Sequence, residues 1–159
     1  MGNLKPLFIS LIDETNTPIL IHVMSYEAKD VNKILKYNTF SNISLDFFES
    51  SLFQWDQISI NYKNGNSPIR MLFEVENVTV FGMWMKPSGL KIIVGFNASD
   101  NFENENDSLI IFVFEKIKKI YMRVKSNPFF DLGQASTDKN NIVKFEEKFE
   151  QEFGTEVQL

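Results

Sequence analysis

Two neighbouring apolar runs, Val78 to Met85 and Leu90 to Phe96, most narrow what this chain can fold into. Read as a strand, the first alternates Val78, Val80, Gly82 and Trp84 against Thr79, Phe81, Met83 and Met85, so both sides are largely apolar. Strands of that kind need cover on both faces of their sheet. Between the runs lies Lys86-Pro87-Ser88-Gly89, in which proline presets φ and the following glycine is free to take a positive φ, the requirements of a tight turn. The rest of the chain has to supply both the remaining strands and the two covering layers.

Leu7 to Ile12 and Ile19 to Val23 are short apolar runs separated by the turn-forming cluster Asp13-Glu14-Thr15-Asn16-Thr17-Pro18, which predicts a hairpin. Ile69 to Val75 alternates Met71, Phe73 and Val75 against Arg70, Leu72 and Glu74 and predicts a further strand. From about Lys29 to Leu52 the period lengthens: Ile34, Tyr37, Ser41, Leu45, Phe48 and Leu52 make one helical stripe. Phe40, Ile43 and Phe47 form a second, rotated by roughly a quarter turn, and if the first stripe covers the sheet the second is partly exposed. Phe53 to Pro68 reads as a polar loop and Asn97 to Asp107 as an acidic, Asn-rich one. A helix follows from about Ser108 to Lys125, with Ile110, Val113, Phe114, Ile117, Ile120, Tyr121 and Val124 on its buried face and a lysine cluster read as a solvated face. Ser126-Asn127-Pro128 ends it, because proline cannot continue a helix and biases Asn127 toward extended geometry. Asn127, Pro128, Phe129 and Phe130 are therefore expected to form a structural turn, with at least one phenylalanine packed on the helix end. A polar loop then leads to a short last helix bearing Ile142, Phe145, Phe149 and Phe153 on one face and Glu146, Glu147, Glu150 and Glu152 on the polar side.

The resulting order, β-β-α-β-β-β-α-α, is α+β: a five-stranded antiparallel sheet with one helix on one face and two on the other. At 159 residues the chain has the size of a single domain, 1–159, and its 43% hydrophobic content argues against disorder. With 16 basic and 21 acidic residues the net charge is −5, which disfavours nonspecific binding to nucleic acid or to an anionic membrane, so either would have to be met through a local patch or another protein; no nucleic-acid partner and no direct membrane insertion are expected. The absence of cysteine excludes thiolate nucleophiles, thiolate metal sites and disulfides. The single histidine, His22, lies opposite Ile19, Ile21 and Val23 by strand alternation, and without further histidines it is read as structural. No Gly-rich phosphate loop, cofactor motif or nucleophile context is present, so neither an enzyme nor a cofactor is expected. Met1-Gly2 precedes Pro6 where a myristoylation signal carries Ser or Thr, and no apolar stretch reaches the roughly 20 residues of a spanning helix. A cytoplasmic location is expected, which leaves the sequons at Asn42, Asn77, Asn97 and Asn106 as chance matches.

Three segments in order carry a family resemblance. Tyr121-Met122-Arg123-Val124-Lys125-Ser126-Asn127-Pro128-Phe129-Phe130 is similar to the tyrosine-bearing helix end of the sedlin-like subunits of TRAPP vesicle-tethering complexes. Ser44-Leu45-Asp46-Phe47-Phe48-Glu49 resembles the Leu-Asp-hydrophobic-acidic segment late in that family's first helix, and the paired runs around Gly89 match its central strands. The element order resembles the longin fold, to which that family belongs. Within it, the chain looks nearest to the small sedlin-like subunit associated with the larger, Golgi-acting complex.

The resemblance implies a non-catalytic adaptor or assembly subunit in ER–Golgi and Golgi traffic, with other TRAPP subunits as partners and a Rab GTPase served indirectly. It implies peripheral membrane association through the complex, and docking of a neighbouring subunit by the first helix and adjoining strand. Phe40, Ile43, Asp46 and Phe47 are then the expected partner interface, Asp46 matching the family's acidic position. The Phe53 to Pro68 and Ala135 to Asn141 connections are longer than the common pattern. The alternative is a longin-type regulator of SNAREs or coat adaptors outside TRAPP, although a longin SNARE would be expected to continue past Leu159 into a coiled coil and anchor. A small-molecule sensor with a similar sheet would need a convergent polar pocket, and none is readable.

Overall fold

Short connections between successive apolar runs favour antiparallel pairing. A computed structural model of the chain, describing residues 5–49, 69–85, 88–97, 107–125 and 135–153, has that pairing throughout its sheet. The elements are β1 (Pro6–Ile12), β2 (Pro18–Val23), α1 (Val31–Glu49), β3 (Ile69–Val75), β4 (Val78–Trp84), β5 (Lys91–Asn97), α2 (Asp107–Lys125) and α3 (Ala135–Phe153), the order expected from the sequence. The strands lie side by side as β2-β1-β5-β4-β3, so β5 is central and β2 and β3 are the edges. Glu76 and Asn77 both have positive φ, 49° and 66°, and join β3 to β4 as a two-residue hairpin whose twist suits the flanking strands. Gly89 takes the expected positive φ, 81°, while Met85 and Leu90 close that turn through a 2.8 Å backbone bond.

Strand alternation divides the apolar side chains into two cores. Ile9, Leu11, Phe81, Met83, Ile92, Val94 and Phe96 face α2 and α3, whereas Phe8, Ile12, Val78, Val80 and Ile93 face α1. The fold is thus α+β and longin-like, with one helix on one face of the sheet and two on the other. The face of α2 read from its period, Ile110 through Val124, is buried at every expected position. In α3, Phe145, Phe149 and Phe153 are buried and Ile142 packs at the margin. Tyr121 of α2 stacks on Phe145 at 6.1 Å, holding the two helices together as well as to the sheet.

Several element boundaries differ from the sequence reading. α3 begins at Ala135, so Ala135–Asn141 is helical rather than a connection, and the helix is not short. Ser136, Thr137 and Asp138 read as loop formers, yet such residues suit a helix's first turn, and the phenylalanine face downstream anchors the helix they begin. α1 runs from Val31, with Asp30 as its cap: the Asn32 N–H donates to Asp30 Oδ1 at 2.9 Å. The turn Asn127, Pro128, Phe129 and Phe130 lies outside the described residues, as does the loop through Pro68.

Two glycines set how closely side chains approach the α1 face of the sheet. A Cβ on Gly95 would stand 2.2 Å from the Phe8 ring, and one on Gly82 would stand 2.8 Å from Phe48 Cζ. Phe8 is fully buried and stacked on Tyr37 at 5.0 Å, so it has little room to yield. At the far end of this layer Lys91, 3% exposed, lies 5.7 Å from the Trp84 ring and 6.0 Å from that of Phe48. Its Nζ donates to Asn16 Oδ1 at 2.8 Å, and Asn16 Nδ2 donates to Glu49 Oε1 at 3.0 Å, tying the β1–β2 loop to the end of α1. Overpacking such a site costs about 1–3 kcal/mol. Gly95→Ala is expected to destabilise the protein toward the upper part of that range and Gly82→Ala by less, as measured by denaturant unfolding. Equal, near-zero effects would contradict this packing.

Candidate partner-docking surface

α1 buries a narrow line of Tyr37, Phe40, Ser41, Ser44 and Phe48 against the sheet. The two serines at its middle are small and satisfied internally: Ser41 Oγ donates to the Tyr37 carbonyl at 3.0 Å and pairs with the Ser10 hydroxyl, and Ser44 Oγ donates to the Phe40 carbonyl at 2.8 Å. Their size lets the helix settle onto the strands between flanking aromatics. At the opposite end of the line the Tyr37 hydroxyl donates to Glu27, and burial together with that carboxylate pushes its pKa well up.

This settling rotates the helix relative to the face read from the sequence. Phe40, expected on the exposed stripe, is 5% exposed and belongs to the core, because Ser44 rather than Leu45 lies at the centre of contact. Leu45 and Ile34 are displaced to the half-buried margin. On the other margin, Phe40 meets Phe73 of β3 edge-on at 5.8 Å and Phe47 stacks on the same ring at 5.4 Å. Phe47 is therefore half-buried rather than open. Beyond this trio Ile43 is 41% exposed, and Asp46 lies on the solvent side of the helix. Val75, on the β3 edge, is 43% exposed. The structure thus brings Ile43, Phe47, Phe73 and Val75 to one flank, beside β3, an edge strand of the sheet. Phe73 and Val75 were not singled out beforehand, and the alternation read for β3 placed Met71 on their face and Leu72 opposite; an irregularity between Met71 and Phe73 instead brings Leu72 and Phe73 both to the α1 side.

A second cluster joins α3 to β2. His22, 7% exposed, has Nδ1 at 3.1 Å from Glu146 Oε2 and Nε2 at 2.8 Å from Glu150 Oε2. An imidazolium alone can donate from both nitrogens. Glu150 also accepts from the Ser25 N–H at 3.0 Å and the Ser25 hydroxyl at 2.8 Å. Burial works to raise the Glu150 carboxyl, but the Ser25 and His22 hydrogen bonds and the histidine charge outweigh it and hold the pKa below its ordinary value. The structural role expected for His22 is what this geometry provides. Its partners were missed, although the four-residue spacing of Glu146 and Glu150 places both on one side of a helix.

Among the described residues no group of three or more His, Cys, Asp or Glu side chains is arranged to hold a metal ion. A cleft of about 240 Å³ opens near the start of α1, lined in part by Glu27, Lys33, Lys36, Tyr37 and Asn77. Lys33 is already engaged by Glu27 at 3.4 Å.

The sequence profile of the family described as Sedlin matches residues 11–153. The chain belongs to the sedlin family. It is also 42% identical over 165 aligned positions to the TRAPP-associated protein TCA17 of Saccharomyces cerevisiae, covering 99% of each chain. The sedlin match spans both the α1–β3 flank and the His22 cluster.

A depressed carboxylate adds stability that is complete above its unfolded value, here 4.5, and is lost as the pH falls through the lower folded value. Glu150→Gln is expected to melt below the parent near neutral pH, with the gap narrowing as the pH falls below about 4.5. Thermal melts from about pH 3 to 7 check this, and a gap independent of pH would contradict it.

Proposed function

We propose that this chain is a non-catalytic assembly subunit of a TRAPP complex acting in ER–Golgi and Golgi traffic. The full-length similarity to a TRAPP-associated protein carries this reading. The α1–β3 flank docks a neighbouring subunit: Ile43, Phe47, Phe73 and Val75 supply apolar contact, and Asp46 lies alongside to set polarity at the rim. Phe40 supports this surface from beneath by fixing Phe73, and does not form its contact face. The chain contributes to complex assembly and vesicle tethering, and serves a Rab GTPase indirectly by supporting the complex that activates it. Its place is the cytoplasmic side of Golgi or ER–Golgi membranes, reached through the complex. No helix among the described residues is long and apolar enough to cross a membrane.

Ile43→Asp places a charge where apolar contact is expected and disturbs no buried packing. It should leave the melting temperature nearly unchanged, since surface substitutions generally stay within about 0.5 kcal/mol. Phe47→Asp adds the loss of the Phe73 stack, so it should both weaken docking and lower stability by about 1 kcal/mol. Affinity isolation of tagged protein checks the two levels of the reading. Recovery of TRAPP subunits with the parent and their loss with Ile43→Asp is expected. Recovery with both would remove the flank from the interface, and recovery with neither would remove the TRAPP assignment.

A further inference from the structure

The outer line of α2 is occupied by Phe112, Lys116, Lys119 and Arg123, at spacings of four, three and four residues. At 100° per residue these positions point away from the buried line of Ile110 through Val124. Phe112 is 55% exposed although it is among the largest apolar side chains available. Lys119 and Arg123 are exposed as well, and Lys116 lies with its ammonium 5.4 Å from the Phe112 ring centre. Among the described residues, Glu152 of α3 is the acidic side chain that meets this line, at 4.0 Å from Lys116, too long for a strong pair. Glu115 sits on the flank of the helix, where one carboxylate oxygen is buried. A chain of net charge −5 therefore carries a local ridge with the opposite sign.

From this ridge we infer that α2 is a membrane-facing surface, resting on an anionic lipid bilayer while the opposite side of the sheet holds the protein partner. Shape and charge together select this occupant. An acidic peptide docks by adding to a strand edge or by lying in a groove, and the outer line of α2 is a convex ridge about 16 Å long at 1.5 Å per residue. A planar bilayer needs no concavity. Cations near such a surface attract anionic headgroups, and an exposed aromatic ring among them can enter the interfacial region. The contact is peripheral and does not require insertion of a helix. Because the molecule as a whole is acidic, the basic ridge also favours one orientation of approach. With α1 and α2 on opposite faces of one sheet, membrane and neighbouring subunit are engaged without competition.

Flotation of the full-length protein with vesicles tests the inference. Binding is expected to phosphatidylserine-containing vesicles at low ionic strength, to fall with added salt, and to be absent with phosphatidylcholine alone. The double charge reversal Lys119→Glu/Arg123→Glu touches no buried contact and should reduce bound protein by about tenfold or more. Phe112→Ser should weaken binding without abolishing its salt dependence. Equal binding by the charge-reversed protein, or no salt-sensitive binding by the parent, would overturn the assignment. Binding of an acidic protein segment by α2 in the absence of any vesicle binding would overturn it too, and would give the ridge to a protein partner.

Discussion

Everything in this molecule depends on keeping water from both faces of β4 and β5. Val78, Val80 and Ile93 on one side and Phe81, Met83, Ile92, Val94 and Phe96 on the other are buried to within 3% exposure, which no single layer of helices can accomplish. The two covers are built differently. α2 and α3 present large aliphatic and aromatic side chains to the sheet and to each other. α1 approaches through Ser41 and Ser44, while Gly82 and Gly95 leave space for Phe48 and Phe8. Close approach on the α1 side is what turns Phe40, Phe47 and Phe73 into a bridge between helix and edge strand.

That bridge shapes the flank proposed for docking. An edge strand beside an apolar flank is a hazard unless something covers it. β3 has α1 beside it on one face, and its outer edge continues the flank formed by Ile43, Phe47 and Val75. In the proposed assembly, a neighbouring subunit seated there would cover this flank. On the other side of the sheet, His22 with Glu146, Glu150 and Ser25 forms a polar cluster that holds α3 against β2.

How much of this was legible in the sequence follows from which contacts are local. The face of α2 could be read because its period is long and its buried residues are all apolar. The doubly apolar strands likewise declared a sandwiched sheet. Rotation of α1 was hidden because Ser44 is polar by type and buried by position, a distinction that depends on the Ser-to-carbonyl bond and the nearness of the sheet. The His22 cluster joins residues separated by more than 120 positions, and no spacing rule pairs a strand histidine with a distant helix. Ala135–Asn141 misled for the opposite reason: its composition is loop-like, while the helix it opens is anchored by phenylalanines further along. Of the residues proposed for the interface from family resemblance, Phe40 is buried and Phe47 half-buried, because aromatic packing around Phe73 draws both inward and leaves Ile43 and Asp46 exposed.

Hydrogen–deuterium exchange on the chain alone and within its isolated complex tests the central claim most directly, because it reads the backbone of every element at once. The account predicts that assembly slows exchange in β3, residues Ile69–Val75, and in the part of α1 around Ile43 to Phe47, while the outer side of α2 stays as it was. Unchanged exchange in β3 and α1, with new protection confined to α2 or α3, would contradict it.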